Sequence, residues 1–178
     1  MGRVTVLMGS PRPNGNTAKL VEAFVGGLGP QHSVEVVNVA KLGIQPCRGC
    51  NFCFKNSEHR CSQHDDMEQV YALLSKTDVL VVATPVYFYS ISAQLKALVD
   101  RLHNPLRDSF PIFKMALLAV GAATLPNLFD SILCQYHLCL DFFHLDDCGT
   151  VLVRGVKEAG DIEGNLALVE AKNLASKI

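Results

Sequence analysis

Apolar positions along the chain fall in short continuous runs, separated by longer stretches in which they recur every three or four residues. The runs 3–8, 33–38, 78–84, 115–120 and 150–153 are rich in Val and Leu and bounded by turn residues, which predicts strands buried on both faces. The helical spacing predicts helices over 17–25, 66–76, 93–102, 127–143 and 163–177. Asp65 and Asp66 suit the start of the second helix, where a carboxylate caps free amides and opposes the helix dipole. Five repetitions of strand then helix read as βαβ units and hence as a parallel sheet.

Five such units fit an α/β fold, a flavodoxin-like doubly wound parallel sheet of order 2-1-3-4-5. Ligands in that topology lie beyond the carboxyl ends of strands one and three, where the strand order reverses. No linker or repeat divides the chain, so residues 1–178 read as one domain. Residues 41–64 form a cysteine-bearing insertion after strand two, too long for an ordinary connection between a strand and a helix.

Charge is nearly balanced, 16 Lys and Arg against 17 Asp and Glu, with no basic run, so the electrostatic footprint of nucleic-acid binding is missing and a small ligand is expected. The opening residues lack the pattern of a signal peptide, and no apolar run approaches the roughly 20 residues that span a bilayer. The expectation is a cytoplasmic protein without a membrane partner. In that reducing setting seven cysteines, four of them clustered, point to metal binding or catalysis rather than disulfides.

Residues 9–17 read Gly-Ser-Pro-Arg-Pro-Asn-Gly-Asn-Thr at the end of the first strand. Their glycines allow backbone N–H groups to close around a phosphate at a helix start, with Ser10, Asn14, Asn16 and Thr17 as further donors and Arg12 as a charge. The same run also reads as an ordinary Gly/Pro/Asn turn with Thr17 as a cap. It contains no Gly-Lys-Ser/Thr of a nucleotide-hydrolysing loop. After the third strand, Pro85, Val86, Tyr87 and Phe88 lead into Tyr89, a cluster suited either to a planar ring or to packing. Gly121, Ala122, Ala123 and Thr124 follow the fourth strand with small residues that permit close approach.

Cys47, Cys50, Cys53 and Cys61 follow the spacing Cys-x2-Cys-x2-Cys-x7-Cys. Three thiolates from one tight run and a fourth from farther along suit a cubane cluster, while Gly49 relieves crowding between them. Zinc is the alternative, although four-cysteine zinc sites more often pair two separated knuckles. His59 and His64 flank the last cysteine and read as solvated loop residues or as alternative ligands. Cys134, Cys139 and Cys148 read as packing residues, and Asp100 with Arg101 as a solvated pair.

The run 9–17, the segment 85–88 and Ser-Ala-Gln-Leu-Lys-Ala-Leu-Val-Asp-Arg at 92–101 resemble the NADPH-dependent FMN reductase superfamily of flavodoxin-like proteins. The four clustered cysteines make the chain resemble the iron–sulfur flavoproteins within it. That resemblance implies FMN, with its phosphate on residues 10–17, its ring against 85–88 and its edge along 121–124. It implies a [4Fe–4S] cluster on the four cysteines, and a homodimer or homotetramer. Electrons would pass between cluster and FMN, with NAD(P)H or a ferredoxin-type protein as donor and a quinone, flavin or oxygen species as acceptor. Such chemistry belongs to the cofactor and demands no acid, base or nucleophile from the protein. Two rival readings are an NAD(P)H-dependent FMN or quinone reductase whose cysteine loop is a metal-free lid, and a non-catalytic binding module on the same scaffold.

Overall fold

The computed structural model describes residues 2–178. Five parallel strands, β1 (Arg3–Met8), β2 (Ser33–Asn38), β3 (Val79–Pro85), β4 (Lys114–Val120) and β5 (Asp146–Val153), form one sheet of order β2-β1-β3-β4-β5. The helices are α1 (Asn16–Val25), α2 (Phe52–Lys55), α3 (Met67–Leu74), α4 (Ala93–Arg101), α5 (Asp130–Phe143) and α6 (Ala167–Ala175). The doubly wound topology is the one the alternation of runs predicts.

Side chains alternate across the pleat, so β1, β3, β4 and β5 feed two cores, whereas β2 is an edge strand with exposed or half-buried residues and is not buried on both faces as its apolar run predicts. Val4, Val6, Val81, Leu118 and Val151 pack under α1 and α6, whereas Leu7, Leu80, Met115, Leu117 and Ala119 pack under α3, α4 and α5. The parallel register brings Met8, Asn38, Pro85, Val120 and Val153 to one rim, from which every functional loop departs.

Three differences from the sequence pattern have local causes. β5 begins at Asp146, four residues before its apolar run, because a register shift opposite Met115 and Ala116 and the positive φ of Gly149, +112°, accommodate a bulge in a stretch that resembles a turn. The Tyr136 hydroxyl lies 2.9 Å from the Met115 carbonyl and 2.6 Å from Asp147 Oδ1, fixing that edge. α6 starts at Ala167 rather than 163, since Gly155, Gly160 and Gly164 all take positive φ in the loop before it. At α3, Asp65 rather than Asp66 caps the first turn, accepting the Met67 N–H at 3.1 Å, while Asp66 accepts the N–H of Gly43 at 2.7 Å.

Candidate functional site

Three loops leave the carboxyl rim side by side. Each starts as a continuation of the ladder, through Gly9 N–H to Ala83, Val86 N–H to Val120 and Gly121 N–H to Val153, at 2.7 to 2.8 Å. Gly9 has no substitute there, because a Cβ would lie 2.6 Å from Ser92 Oγ and 2.9 Å from Leu95 Cβ. Ser92 uses that space to cap α4, its Oγ accepting the Leu95 N–H, and Thr84 Oγ1 accepts the N–H of Ser92 at 3.1 Å.

Gly15 is the N-cap of α1 and offers no side-chain acceptor, and the first turn holds no acidic residue. The N–H groups of Ser10, Asn16 and Thr17 consequently meet no acceptor among the described residues. Such a cluster of amides at the positive end of a helix is the arrangement an anionic group needs. Arg12 and Asn14 stand exposed at the loop's outer side, whereas Ser10 and Thr17 are buried.

The Asn16 side chain has a different role from the one its position suggests. Its Nδ2 donates to the Glu158 carbonyl at 2.9 Å and its Oδ1 accepts the Ile162 N–H at 3.3 Å, so it braces the loop between β5 and α6. Arg12 also reaches that loop, donating to the Lys157 carbonyl at 3.0 Å. Asp161 shapes the loop by accepting the N–H groups of Lys157 and Glu158, which hold its carboxyl below the usual range.

The segment after β3 closes as a tight hairpin, with reciprocal hydrogen bonds between Tyr87 and Ser90 of 2.9 and 3.1 Å. Its two central residues, Phe88 at φ +49° and Tyr89 at φ +65°, occupy the left-handed region that a primed turn requires and that bulky L-residues avoid. Phe88 is 96% exposed, and Ser131 donates to the Tyr89 carbonyl from α5. Val86 and Tyr87 have committed their N–H groups, so the open amides of this loop are those of Phe88 and Tyr89. Pro85 is buried as the last residue of β3, and Val86 is half-buried.

In the third loop Gly121 is buried, and a Cβ there would come within 2.6 Å of Leu128 and 3.2 Å of Val86. Ala122 and Thr124 are exposed. Arg154 organises this turn, donating to the carbonyls of Leu125 at 3.0 Å and Pro126 at 2.8 Å while its guanidinium lies 4.8 Å from the Phe129 ring centroid. The apolar cavity of 460 Å³ lies elsewhere, between the sheet and α4 and α5, lined by residues such as Leu80, Met115, Leu117, Ile132 and Phe142. None of the residues predicted to meet the flavin lines it.

The cysteine loop is an ordered, pinned element. Asp65 Oδ2 accepts the Gln45 N–H at 2.9 Å and Asp66 accepts that of Gly43. Gln63 Nε2 donates to the Pro46 carbonyl at 3.1 Å, and Asn104 Nδ2 donates to that of His59 at 2.8 Å. Arg101 Nη1 donates to Asp65 at 2.5 Å and to the Gln45 carbonyl at 3.3 Å. Arg101 is therefore not a solvated partner of Asp100: its side chain is 2% exposed and paired with Asp65, while Asp100 pairs with Lys96. The helical stripe gave a signal of this, since Arg101 follows Leu95 and Leu98 on the buried face of α4.

All four clustered cysteines are free thiols, with Cys47 and Cys50 exposed and Cys53 and Cys61 half-buried. The N–H groups of Gly49 and Gln63 point at Cys47 Sγ and Cys61 Sγ at 3.5 Å, and Ser62 Oγ lies 3.4 Å from Cys50 Sγ. The Ser62 contact, followed by the Phe52 N–H, lowers the Cys50 pKa. Burial raises that of Cys53, and the contact between Cys50 and Ser62 sets the 47–53 run against the segment that carries Cys61. Gly49 at φ +63° and Asn51 at φ +56° reverse the backbone within that run. Among the described residues no three His, Cys, Asp or Glu side chains are gathered tightly enough to hold a single metal ion. His59 turns inward instead, its Nδ1 3.0 Å from the Cys53 carbonyl, and His64 faces Glu68. Of the remaining cysteines, Cys134 is exposed rather than packed, while Cys139 and Cys148 are half-buried and their thiol pKa values raised by burial.

Known proteins share both the fold and much of the sequence. An azoreductase from Bacillus anthracis superposes with a TM-score of 0.77 at 19% identity over the whole of both chains. An NAD(P)H:quinone oxidoreductase from Methanothermobacter marburgensis does so with a TM-score of 0.74 at 16% identity, over 99% of this chain and 96% of that one. In sequence the chain is 36% identical over 124 residues to an iron–sulfur flavoprotein of Methanocaldococcus jannaschii, a match covering 68% of this chain and 63% of that relative. A protein of Bacillus subtilis provisionally named as an NAD(P)H-dependent FMN-containing oxidoreductase is 27% identical over 98% of this chain and 97% of its own. The chain thus spans less than two thirds of its iron–sulfur flavoprotein relative but nearly all of the Bacillus one. Residues 2–155, which carry all three rim loops and the pinned cysteines, match the family model for NADPH-dependent FMN reductases, and the chain belongs to that family.

Proposed function

We propose that the protein is an FMN-dependent oxidoreductase that passes electrons between FMN and a [4Fe–4S] cluster held by Cys47, Cys50, Cys53 and Cys61. The observation that carries this reading is the pinned loop of four free thiols, three of them already contacted by N–H or hydroxyl groups, with Cys50 set against the Cys61 segment through Ser62. An N–H group directed at a cluster thiolate is a recognised means of tuning such sites. A loop secured by Asp65, Asp66, Gln63, Arg101 and Asn104 suits a fixed ligand set better than a moving lid.

When bound, FMN supplies two-electron exchange with a nicotinamide and one-electron exchange with a carrier, and the cluster supplies one-electron storage. The chain's residues supply the setting. The open amides of Ser10, Asn16 and Thr17 meet the phosphate at the start of α1, with Arg12 and Asn14 at its outer side. From the end of β3 at Pro85, the residues Val86, Tyr87 and Phe88 would offer apolar surface to the ring, and the hairpin's free N–H groups would be open to its polar atoms. Ala122 and Thr124, exposed beyond the buried Gly121, would line the third side. The reading extends to NAD(P)H or a ferredoxin-type donor, a quinone, flavin or oxygen acceptor, a homodimer or homotetramer, a cytoplasmic location, and a single flavin-binding domain over 1–178. No helix among the described residues is long and apolar enough to cross a membrane.

A second reading, a reductase whose cysteine loop holds no metal, is favoured by the Bacillus relative that matches over nearly its full length. Iron, acid-labile sulfide and flavin content of protein purified without oxygen separates the two. About four irons and four sulfides per chain beside FMN support the cluster. Flavin without either metal or sulfide, with rapid NADPH oxidation in the presence of quinone, establishes the simpler reductase.

A further inference from the structure

We propose that Arg101 is a positioning residue for the cysteine loop: its buried guanidinium holds N–H groups in reserve for the Cys61 thiolate and thereby raises the reduction potential of the cluster. This rests on the iron–sulfur reading above.

Arginine is rarely buried without full pairing, because each guanidinium carries five N–H donors that water would otherwise satisfy. Here Nη1 alone is engaged, by Asp65 and the Gln45 carbonyl. Nε and Nη2 are buried and have no acceptor among the described residues. Buried donors left unmade are costly, so such an arrangement calls for a missing acceptor.

The chain around Cys61 is held against the end of α4 from both sides. Asn104 binds the His59 carbonyl two residues before it, and Arg101 itself binds Asp65 four residues after it. Gln63 directs its own N–H at Cys61 Sγ. The Tyr71 hydroxyl packs at the same turn and donates to the Arg101 carbonyl at 2.8 Å. Cys61 thus lies in a segment tied on both sides to the end of α4, where the guanidinium carries its two unpaired nitrogens.

Stability alone gives no reason for a cation at this position. A buried ion pair is commonly no more stabilising than apolar side chains of similar volume, and Leu95 and Leu98 on the same stripe show what the packing would accept. A fixed positive charge does have a purpose beside a redox centre. The cluster couple gains one electron and no proton, so its reduced form is the more negative, and a nearby cation with N–H donors stabilises that form preferentially.

The test uses the full chain, reconstituted with iron and sulfide without oxygen, as wild type, Arg101→Lys and Arg101→Met, with FMN content as the check on folding. An EPR-monitored redox titration should show the cluster of Arg101→Met at least tenfold harder to reduce, about 59 mV for a one-electron couple. Arg101→Lys, which keeps the charge with fewer donors, should fall between. If Arg101→Met loses its flavin and so fails to fold, Arg101→Lys decides alone. Iron lost in Arg101→Met and recovered in Arg101→Lys, with flavin kept in both, also supports the role; iron lost in both with flavin kept overturns it. Equal midpoints in wild type and loaded variants overturn the inference and leave the cluster standing. A wild type that takes up no iron removes the cluster reading and this inference together.

Discussion

Asp65 links the cysteine loop to the body of the protein, and removing it has a cost that follows from its partners. Its carboxylate accepts from Arg101, Gln45 and Met67 and its side chain is 9% exposed, so Asp65→Ala deprives three donors at once and leaves the Arg101 charge buried without its counter-ion. Breaking a buried pair in this way costs about 3–5 kcal/mol. Arg101 retains the Gln45 carbonyl, which places the expected loss toward the lower end of that range. At roughly 2–4 °C per kcal/mol for a chain of this size, the melting temperature should fall by about 6–20 °C. The pH dependence gives an independent check. Burial tends to raise the Asp65 pKa, but the Arg101 hydrogen bond and the Gln45 and Met67 N–H groups outweigh it and hold it below the ordinary value. A depressed pKa contributes stability that is complete above the unfolded value of about 4 and is lost as pH falls through the lower folded value. Urea denaturation between pH 3 and 7 should therefore show a shallower acid limb in Asp65→Ala than in wild type. A loss under 1 kcal/mol at neutral pH, or an unchanged acid limb, would refute the reasoning.

Gly121→Ala places a methyl 2.6 Å from Leu128 and 3.2 Å from Val86, and overpacking of that kind should destabilise by about 1–3 kcal/mol in denaturant titrations. Phe88→Gly relieves a left-handed conformation worth roughly 1–2 kcal/mol against a glycine entropy cost of roughly 0.5–1, so thermal melts should show a small gain while flavin affinity or turnover declines. Asn16→Ala removes both hydrogen bonds to the 158–162 backbone, and calorimetry should show about 1–3 kcal/mol of lost stability together with weaker FMN binding.

A strand buried on both faces announces itself, which is why β1 coincides with its apolar run, while β2 keeps its run although it is an exposed edge strand. β5 does not, because its first four residues, Asp-Asp-Cys-Gly, carry turn chemistry and enter the ladder only through a bulge. The rim loops were legible as a set of small, glycine-bearing and aromatic segments at strand ends. Their internal assignment was less so. Asn16 sits where a phosphate donor belongs, but its side chain is committed to residues more than 140 positions away, a partnership that no local pattern can reveal. Arg154 and Asn104 escaped notice for the same reason, since each acts by donating to distant carbonyls. Arg101 was visible only as a charge in register with a leucine stripe, and its adjacency to Asp100 favoured the wrong partner.

The brace between Asn16 and the 158–162 backbone also bears on the order in which the molecule is completed. Domains begin to organise during synthesis from the N-terminal side. Here the turn that opens α1 is made well before Ile162, which closes around Asn16. A nascent chain lacking that late segment has the amides of the turn without the element that holds them in place. Flavin held at that turn would accordingly need the chain to have been made through residue 162, and chains stopped short of it should emerge without flavin.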